Sequence, residues 1–209
     1  MEQILRYSNI INQIDTHDYF AHLHDMSLAD FIKSFRHFVY AVDEWSRVLA
    51  KITAYVPTYN ERRVLVANLY DENNGSVSHV ETFENFVALV HSLVDSITHC
   101  EQSLNHTKQF VMSLRAIADS HDWIYAVSAL GMIEYTYVTV SRYIREYVSQ
   151  HTTQDIPHFT LHETIDVDHA TQLFGLVAKY YTSHHNQIIS GINTGYHMFD
   201  EFFTGIYNT

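Results

Sequence analysis

The residues best suited to chemistry lie in one short stretch of the C-terminal third, HETIDVDH, which runs from His162 to His169. On an α-helix of about 3.6 residues per turn, positions 166 and 169 lie about 40° and −20° around the axis from position 162. Two imidazoles and the carboxylate of Asp166 would therefore project from one face of a single helix. Divalent first-row metals such as iron or manganese bind this combination of nitrogen and oxygen donors.

Two other places in the chain supply donors that a metal site on this helix would still lack. Glu72 and His79 flank the break NNGS at residues 73–76. Glu134 lies between apolar and aromatic neighbours on a predicted helix, where a carboxylate is costly unless it is paired or binds a metal. Three carboxylates and three imidazoles suit two divalent cations with open positions. Zinc would also accept these groups, although structural zinc prefers thiolates and four closed ligands.

The elements that must position these donors are predicted to be long helices. The 209 residues include only 6 glycines and 2 prolines, far fewer helix breakers than average usage gives. Apolar residues recur at three- and four-residue steps, and no alternating strand pattern with hairpin turns is present. We therefore predict an all-α bundle of seven or eight helices. It would form one domain over residues 1–209, since no linker, repeat or low-complexity tract interrupts the chain.

Capping and breaking residues set the predicted helix boundaries. Ser27 and Thr58 each begin a capping-box-like start, and Pro57 ends the segment between them. Pro157 is placed in a loop before a helix that Thr160 begins. The predicted helices cover residues 2–14, 27–54, 58–73, 77–100, 102–119, 121–149, 160–183 and 185–206.

Charge and composition exclude several classes of partner. The net charge of −12 argues against binding to nucleic acid or to an anionic membrane. No apolar run approaches the ~20 residues that span a bilayer, and the N-terminus lacks the apolar core of a signal peptide. The single cysteine, Cys100, excludes an internal disulfide, so we expect a protein of the reducing cytoplasm.

The donor pattern as a whole resembles a known superfamily. The strict Glu-x-x-His pairs of ferritin-like di-iron bundles are absent. The chain is instead similar to the heme-oxygenase-like di-iron oxidases. The similarity lies in the segment NLYDENNG ahead of His79, in Glu134, and in the pattern His162-x3-Asp166-x2-His169. That superfamily includes thiaminase II (TenA) and pyrroloquinoline-quinone synthase, and the chain most resembles the group of the chlamydial death-domain-associating protein. The similarity runs from about residue 17 to about residue 185.

The resemblance implies a TenA-like bundle that encloses two metal ions and is often dimeric. The two ions would be two irons, iron with manganese, or other divalent ions. Ferrous iron in such proteins reacts with dioxygen and oxidises a small organic substrate, and an external reductant supplies electrons. The catalytic residues would act through the metals, and the sequence leaves open which donor binds which ion. The six donors that the resemblance identifies as ligands are Glu72, His79, Glu134, His162, Asp166 and His169.

Departures from the family pattern bear on the activity. The lysine that the p-aminobenzoate-forming members use would follow Glu134, where the chain has no lysine between Lys108 and Lys179. Thiaminase II members need a cysteine on the Glu134 helix, and Cys100 lies before it. We therefore predict a dioxygen-dependent dinuclear metal oxidase or oxygenase. The alternatives are a helical interaction protein that retains the fold and a thiaminase-II-like hydrolase without a cofactor.

Several of these residues have simpler interpretations when they are taken alone. The 162–169 stretch could be a solvated helix start, and Glu72 could be a helix residue before a turn. Asp43 and Glu44 could face a pocket or solvent. Aromatic residues at helical spacing belong more often to a core than to a cavity, and the candidates for either role are Tyr40, Trp45, Tyr135, Tyr137 and Tyr143. The joint pattern of six donors is what favours a metal site.

Overall fold

The computed structural model describes residues 14–73, 78–95 and 101–208, and the regular structure of these ranges is helical. Three short 3-10 helices cover Ile14–Thr16, Leu23–Asp25 and Arg36–Phe38. The α-helices are α1 (Asp18–Ala21), α2 (Leu28–Phe35), α3 (Val39–Tyr55), α4 (Tyr59–Asn73), α5 (His79–Ser92), α6 (Glu101–Asp119), α7 (Trp123–Val148), α8 (Pro157–Ala178) and α9 (His185–Tyr207). The predicted all-α bundle is confirmed: within the described ranges, α2 to α9 are eight helices of two turns or more, and α1 is a single turn.

The long helix α7 lies at the centre of the bundle. It packs chiefly against α8 and α9, while α3 packs against α4 and α6. Consecutive residues 126–134 on α7 are all buried, so protein covers every side of the helix there. A helix that is buried all round belongs to a core. A polar residue on this part of α7, such as Glu134, is therefore enclosed by protein.

Two glycines let α9 approach α7 closely. A Cβ atom added at Gly191 would lie 2.3 Å from the carbonyl oxygen of Tyr125, and one added at Gly195 would lie 2.4 Å from that of Ala129. These distances are too short for any side chain, so the backbones of the two helices are in direct contact. The contact fixes the position of the helix that carries Glu134.

Phenylalanine rings fill the space between α2, α3, α6 and α9. The rings of Phe35 and Phe38 are stacked with centroids 5.3 Å apart, and Phe38 lies 5.2 Å from Phe110 and 5.0 Å from Phe202. Burial of one such side chain contributes about 1.5–3 kcal/mol to stability. This cluster therefore holds α2, the 3-10 helix Arg36–Phe38 and α6 in place relative to α9.

The local capping signals are confirmed. The Ser27 side chain accepts a hydrogen bond from the Asp30 amide, and Thr58 Oγ1 accepts one from the Glu61 amide at 3.4 Å. The single helix predicted over residues 27–54 is interrupted by the 3-10 helix Arg36–Phe38. Side chains three residues apart eclipse in a 3-10 helix, which brings the adjoining rings at positions 35 and 38 onto the same buried side.

The predicted start of α8 is wrong. The helix begins at Pro157 and not at Thr160, and it ends at Ala178, before the predicted end near residue 183. Proline is well suited to the first helical position, because its missing N–H has no partner there in any residue. The earlier start places His158 on α8, one turn before His162.

Some predictions fall on residues outside the described ranges. They are most of the helix over residues 2–14, the turn at 74–77 and the surroundings of Cys100. Within the described part, α5 ends at Ser92, earlier than the predicted end at residue 100. Every helix of that part is too short or too polar to cross a bilayer. The single domain over residues 1–209 stays a prediction.

Candidate metal centre

The six predicted ligands come from four helices. Glu72 is the penultimate residue of α4, His79 is the first residue of α5, and Glu134 lies in the middle of α7. The remaining three lie on one helix, α8: they are His162, Asp166 and His169. All six side chains are buried, and none of these residues is more than 7% exposed. The fold therefore brings residues from distant parts of the chain into one enclosed region.

Two pairs of these donors are in direct contact. Glu72 Oε2 lies 2.8 Å from His79 Nδ1, across the connection between α4 and α5. His162 Nδ1 lies 2.8 Å from Asp166 Oδ1, one turn further along α8. The rings of His79 and His162 are 4.7 Å apart at their centroids. The two pairs are therefore neighbours.

Glu72, Glu134 and His169 form a second meeting point, between α4, α7 and α8. One ligand atom from each of these residues lies within 4.8 Å of the other two. His169 Nδ1 is 3.5 Å from Glu134 Oε1 and 4.0 Å from Glu72 Oε1. Its other nitrogen, Nε2, is 3.3 Å from Asp71 Oδ2. A carboxylate that holds one nitrogen of an imidazole in this way leaves the other nitrogen to a metal.

The cluster contains buried polar atoms that lack a hydrogen-bond partner among the described residues. They are Glu134 Oε1, His162 Nε2, Asp166 Oδ2, His79 Nδ1 and His169 Nδ1. An unpaired buried polar atom costs roughly 1–3 kcal/mol, and native proteins leave few such atoms unpaired. A divalent cation would pair these atoms, so the donor set fits a metal site. That each of the six predicted residues binds metal stays a prediction.

The surroundings of this cluster favour the protonated form of its acidic groups. Burial and the neighbouring Asp166 raise the pKa of Glu134 to about 8, and burial raises the pKa of Asp166 well above its ordinary value. Although burial opposes a charge on His169, its contacts with Glu134 and Asp71 raise the pKa of His169 to about 9. Metal ligands must lose these protons. Metal binding should therefore release protons at neutral pH.

Sequence reasoning missed His158, which is buried one turn before His162. Its Nε2 lies 3.0 Å from the Tyr137 hydroxyl, and its Nδ1 lies 2.9 Å from Thr82 Oγ1. Burial and the proximity of His162 lower the pKa of His158 well below its ordinary value, so the ring is neutral. A proline at the first position of a helix was the sequence signal that could have placed this histidine on α8.

A cavity of about 50 Å³ lies beside the donors. Trp45 and Tyr137 are the two aromatic candidates that line it, whereas Tyr40 is exposed. Val42 and Trp45, both on α3, are half-buried, whereas the other apolar lining residues are buried. The apolar lining residues are Phe38, Ala41, Val42, Trp45, Phe110, Leu114, Ile133 and Phe199.

The two acidic residues of α3 are paired with arginines and do not line the cavity. Glu44 accepts two hydrogen bonds from the Arg115 guanidinium, at 2.9 and 2.7 Å, and Asp43 lies 2.7 Å from Arg47. The hydrogen bonds from Arg115 lower the pKa of Glu44. The Glu44–Arg115 pair therefore links α3 to α6 as a structural contact.

Solved structures with the same fold are known. Two crystal structures of a CADD-like protein of unknown function from Nostoc punctiforme PCC 73102, at 2.00 and 1.35 Å resolution, match with TM-scores of 0.75 and 0.71. Each is 15% identical to this chain. The first match covers 99% of this chain and 93% of that one, and the second covers 100% and 96%. Comparison with curated proteins gives no match.

One family model matches the sequence over residues 32–200, and its description is an iron-containing redox enzyme. The matched range contains all six predicted ligands and most of the bundle from α2 to α9. The helical architecture agrees with the heme-oxygenase-like fold that the donor pattern predicted. The chain therefore belongs to this family of iron-containing redox enzymes.

Proposed function

We propose that the protein is a dioxygen-dependent, non-heme dinuclear metal oxidase or oxygenase that acts on a small organic molecule inside the bundle. The observation that carries the proposal is the meeting of Glu72, Glu134 and His169, from three different helices, with ligand atoms within 4.8 Å. Their burial and the description of the family as iron-containing redox enzymes support it.

The distances support a division of the six donors between two ions. Glu72, Glu134 and His169 would hold one ion, because their ligand atoms lie together. The remaining three donors would hold the other ion, since the 4.7 Å ring contact of His79 with His162 brings them together. Glu72 lies beside both sets of donors, because its Oε2 is 2.8 Å from His79 Nδ1.

Two irons, or iron with manganese, would supply the binding and reduction of dioxygen. The chain itself would hold and orient the metals and the substrate. Asp71 fixes the ring of His169 so that Nδ1 faces the carboxylates. The apolar lining excludes water from the cavity, and the protons on Glu134 and Asp166 would leave as the metals bind.

The proposed partners follow from the same site. The cavity supports a small-molecule substrate, and an external reductant would supply electrons. The net charge of −12 supports a protein that binds neither nucleic acid nor membrane. The family resemblance supports a homodimer, and the single cysteine of the chain supports a location in the reducing cytoplasm.

Anaerobic titration with ferrous iron, followed by mixing with oxygen, tests the proposal. We expect about two irons per chain and a transient blue-to-purple absorbance when oxygen is added. Asp166→Asn should lose at least one ion, because it removes a buried ligand. Asp168→Asn is the matched control, since residue 168 is exposed on the same helix, and it should keep both ions.

Two results would overturn the proposal. One is full affinity for both ions in Asp166→Asn. The other is activity that survives complete chelation and the removal of oxygen, as a thiaminase-II-like hydrolase or a helical interaction protein would show.

A further inference from the structure

The cavity has two kinds of wall. α4, α5 and α8 contribute only predicted ligands and His158 to its lining. α3 with the preceding 3-10 turn, α6 and α9 contribute hydrocarbon side chains and Trp45, whose indole N–H is the single polar group of that wall. The central helix α7 contributes both kinds. A molecule in the cavity therefore has an uncharged, largely apolar wall on one side and the donors on the other.

Among the lining residues that the structure describes, Tyr137 alone has a hydroxyl group, and the proton of that hydroxyl is already committed. Thr82 donates its hydroxyl proton to the carbonyl oxygen of His79 at 2.8 Å, so Thr82 Oγ1 accepts from His158 Nδ1–H at 2.9 Å. A neutral His158 then has its lone pair on Nε2. That lone pair accepts the hydroxyl proton of Tyr137 at 3.0 Å. The substrate therefore receives no hydroxyl donor from the lining.

Cationic groups are also kept away from the apolar wall. Among the residues that the structure describes, neither lysine nor arginine lines the cavity. Arg115 follows the lining residue Leu114, but two hydrogen bonds bind its guanidinium to Glu44. A charged substrate group against α3 and α6 would be buried without a partner, and that burial is costly.

We propose that the substrate places an uncharged, apolar end against α3 and α6 and directs its polar, reacting end toward the metal donors. The inference rests on the proposed function and specifies the substrate class of the same site. A cavity of about 50 Å³ has room for about four water-sized groups. The enclosed end is therefore a short alkyl chain or a group of similar size.

Fluorescence of Trp45 in the zinc-loaded Trp123→Phe variant tests this inference without redox chemistry. The chain has two tryptophans, and Trp123 packs on the Tyr180 ring at 5.2 Å and does not line the cavity. The probes are butyrate and succinate, which share a metal-binding carboxylate and differ in the charge of the far end. We expect butyrate to bind about tenfold more tightly than succinate, because succinate buries a second charge.

A cation placed in the apolar wall sharpens the test. Val42→Lys, at a half-buried lining position, should narrow the difference between the probes to about twofold by pairing the second carboxylate. Tyr40→Lys, at an exposed position of the same helix outside the lining, should leave the difference unchanged. Equal affinity for the two probes before the lysine is added overturns the inference. So does an identical response of the Val42→Lys and Tyr40→Lys variants.

Zinc content, measured before each titration, separates this inference from the proposed function. A chain that binds no zinc or iron contradicts the proposed function. The same variants are then titrated with 1-butanol and 1,4-butanediol, which need no metal. Tighter binding of 1-butanol supports the apolar wall, and equal binding of the two alcohols overturns it.

Discussion

Glu61 and Glu134 are both buried carboxylates on long helices, but their surroundings are opposite. Glu61 on α4 accepts a hydrogen bond from Lys179, which lowers its pKa. Glu134 on α7 has Asp166 and His169 as neighbours, and burial together with the Asp166 carboxyl raises its pKa to about 8. Both side chains are almost inaccessible to solvent. The difference between them therefore lies in the partner as well as in the depth of burial, which is the largest cause of the raised pKa of Glu134.

The contrast distinguishes carboxylates that hold the fold together from those that await a ligand. A buried carboxylate with a permanent cation nearby is ionised and satisfied. A buried carboxylate next to a second acidic group holds a proton until a cation arrives. Glu44, bound to Arg115, belongs with Glu61, whereas Asp166 belongs with Glu134.

The largest difference between the two regions is expected in metal affinity, when Glu134 and Glu61 are each exchanged for glutamine. Glu134→Gln keeps the size of the side chain and removes an anionic ligand, so metal affinity should fall by about 100-fold or more. Glu61→Gln should bind metal as the unaltered chain does, because its partner is Lys179. Elemental analysis after metal loading and desalting measures both. Equal metal content in the two variants would contradict the distinction between a carboxylate that stabilises the fold and one that binds metal.

The stability of the metal-free protein should fall as pH rises from about 7 to about 9. The pKa of Glu134 in the folded protein, about 8, exceeds the ordinary value of 4.5, and that of His169, about 9, exceeds 6.5. Each proton therefore stabilises the folded state fully below the ordinary value, and the contribution is lost as pH rises through the folded value. With both groups titrating, the expected slope is about 2 kcal/mol per pH unit.

Urea unfolding at several pH values measures this slope. Zinc loading should remove the slope, since the metal replaces the protons, and Glu134→Gln should reduce it. A metal-free protein with constant stability across this pH range would show that the cluster holds no such protons.

The smallest effect is expected for the stability of Glu61→Gln. The Lys179 side chain is half-exposed, so water compensates most of the lost ion pair, and the free energy of unfolding should fall by about 1 kcal/mol. Asp119→Asn, which breaks the exposed pair with Lys51, is the control and should have no measurable effect. Urea unfolding of the metal-loaded proteins compares them. If the free energy of unfolding of Glu61→Gln fell by several kcal/mol, water would compensate the lost ion pair much less than the half-exposed Lys179 side chain indicates.

The sequence predicts what depends on neighbouring residues. Ser27 and Thr58 mark helix starts because each cap bonds an amide three residues away. The shared face of His162, Asp166 and His169 follows from helical spacing alone. The interruption at Arg36–Phe38 depends on tertiary packing of the phenylalanine cluster, and so the local pattern does not reveal it.

The parts of the site that join distant segments are not visible in the spacing. Asp71 lies 98 positions before His169, and only the fold brings these two side chains together. The family resemblance, and not periodicity, connected Glu72 and Glu134 with α8. The sequence does not reveal the bond between Tyr137 and His158, because a proline at position 157 is compatible both with a loop and with the first position of a helix.

The placement of four polar residues on α8 constrains that helix in length more than in composition. Exposed positions between the donors, such as Val167 and Asp168, can change without moving any of them. Insertion of one residue between His162 and Asp166, however, would turn one part of α8 about 100° relative to the other. The two halves of the centre would then point to different sides of the bundle. Chains with substitutions in this segment can keep the centre, but chains with a single-residue insertion or deletion lose it.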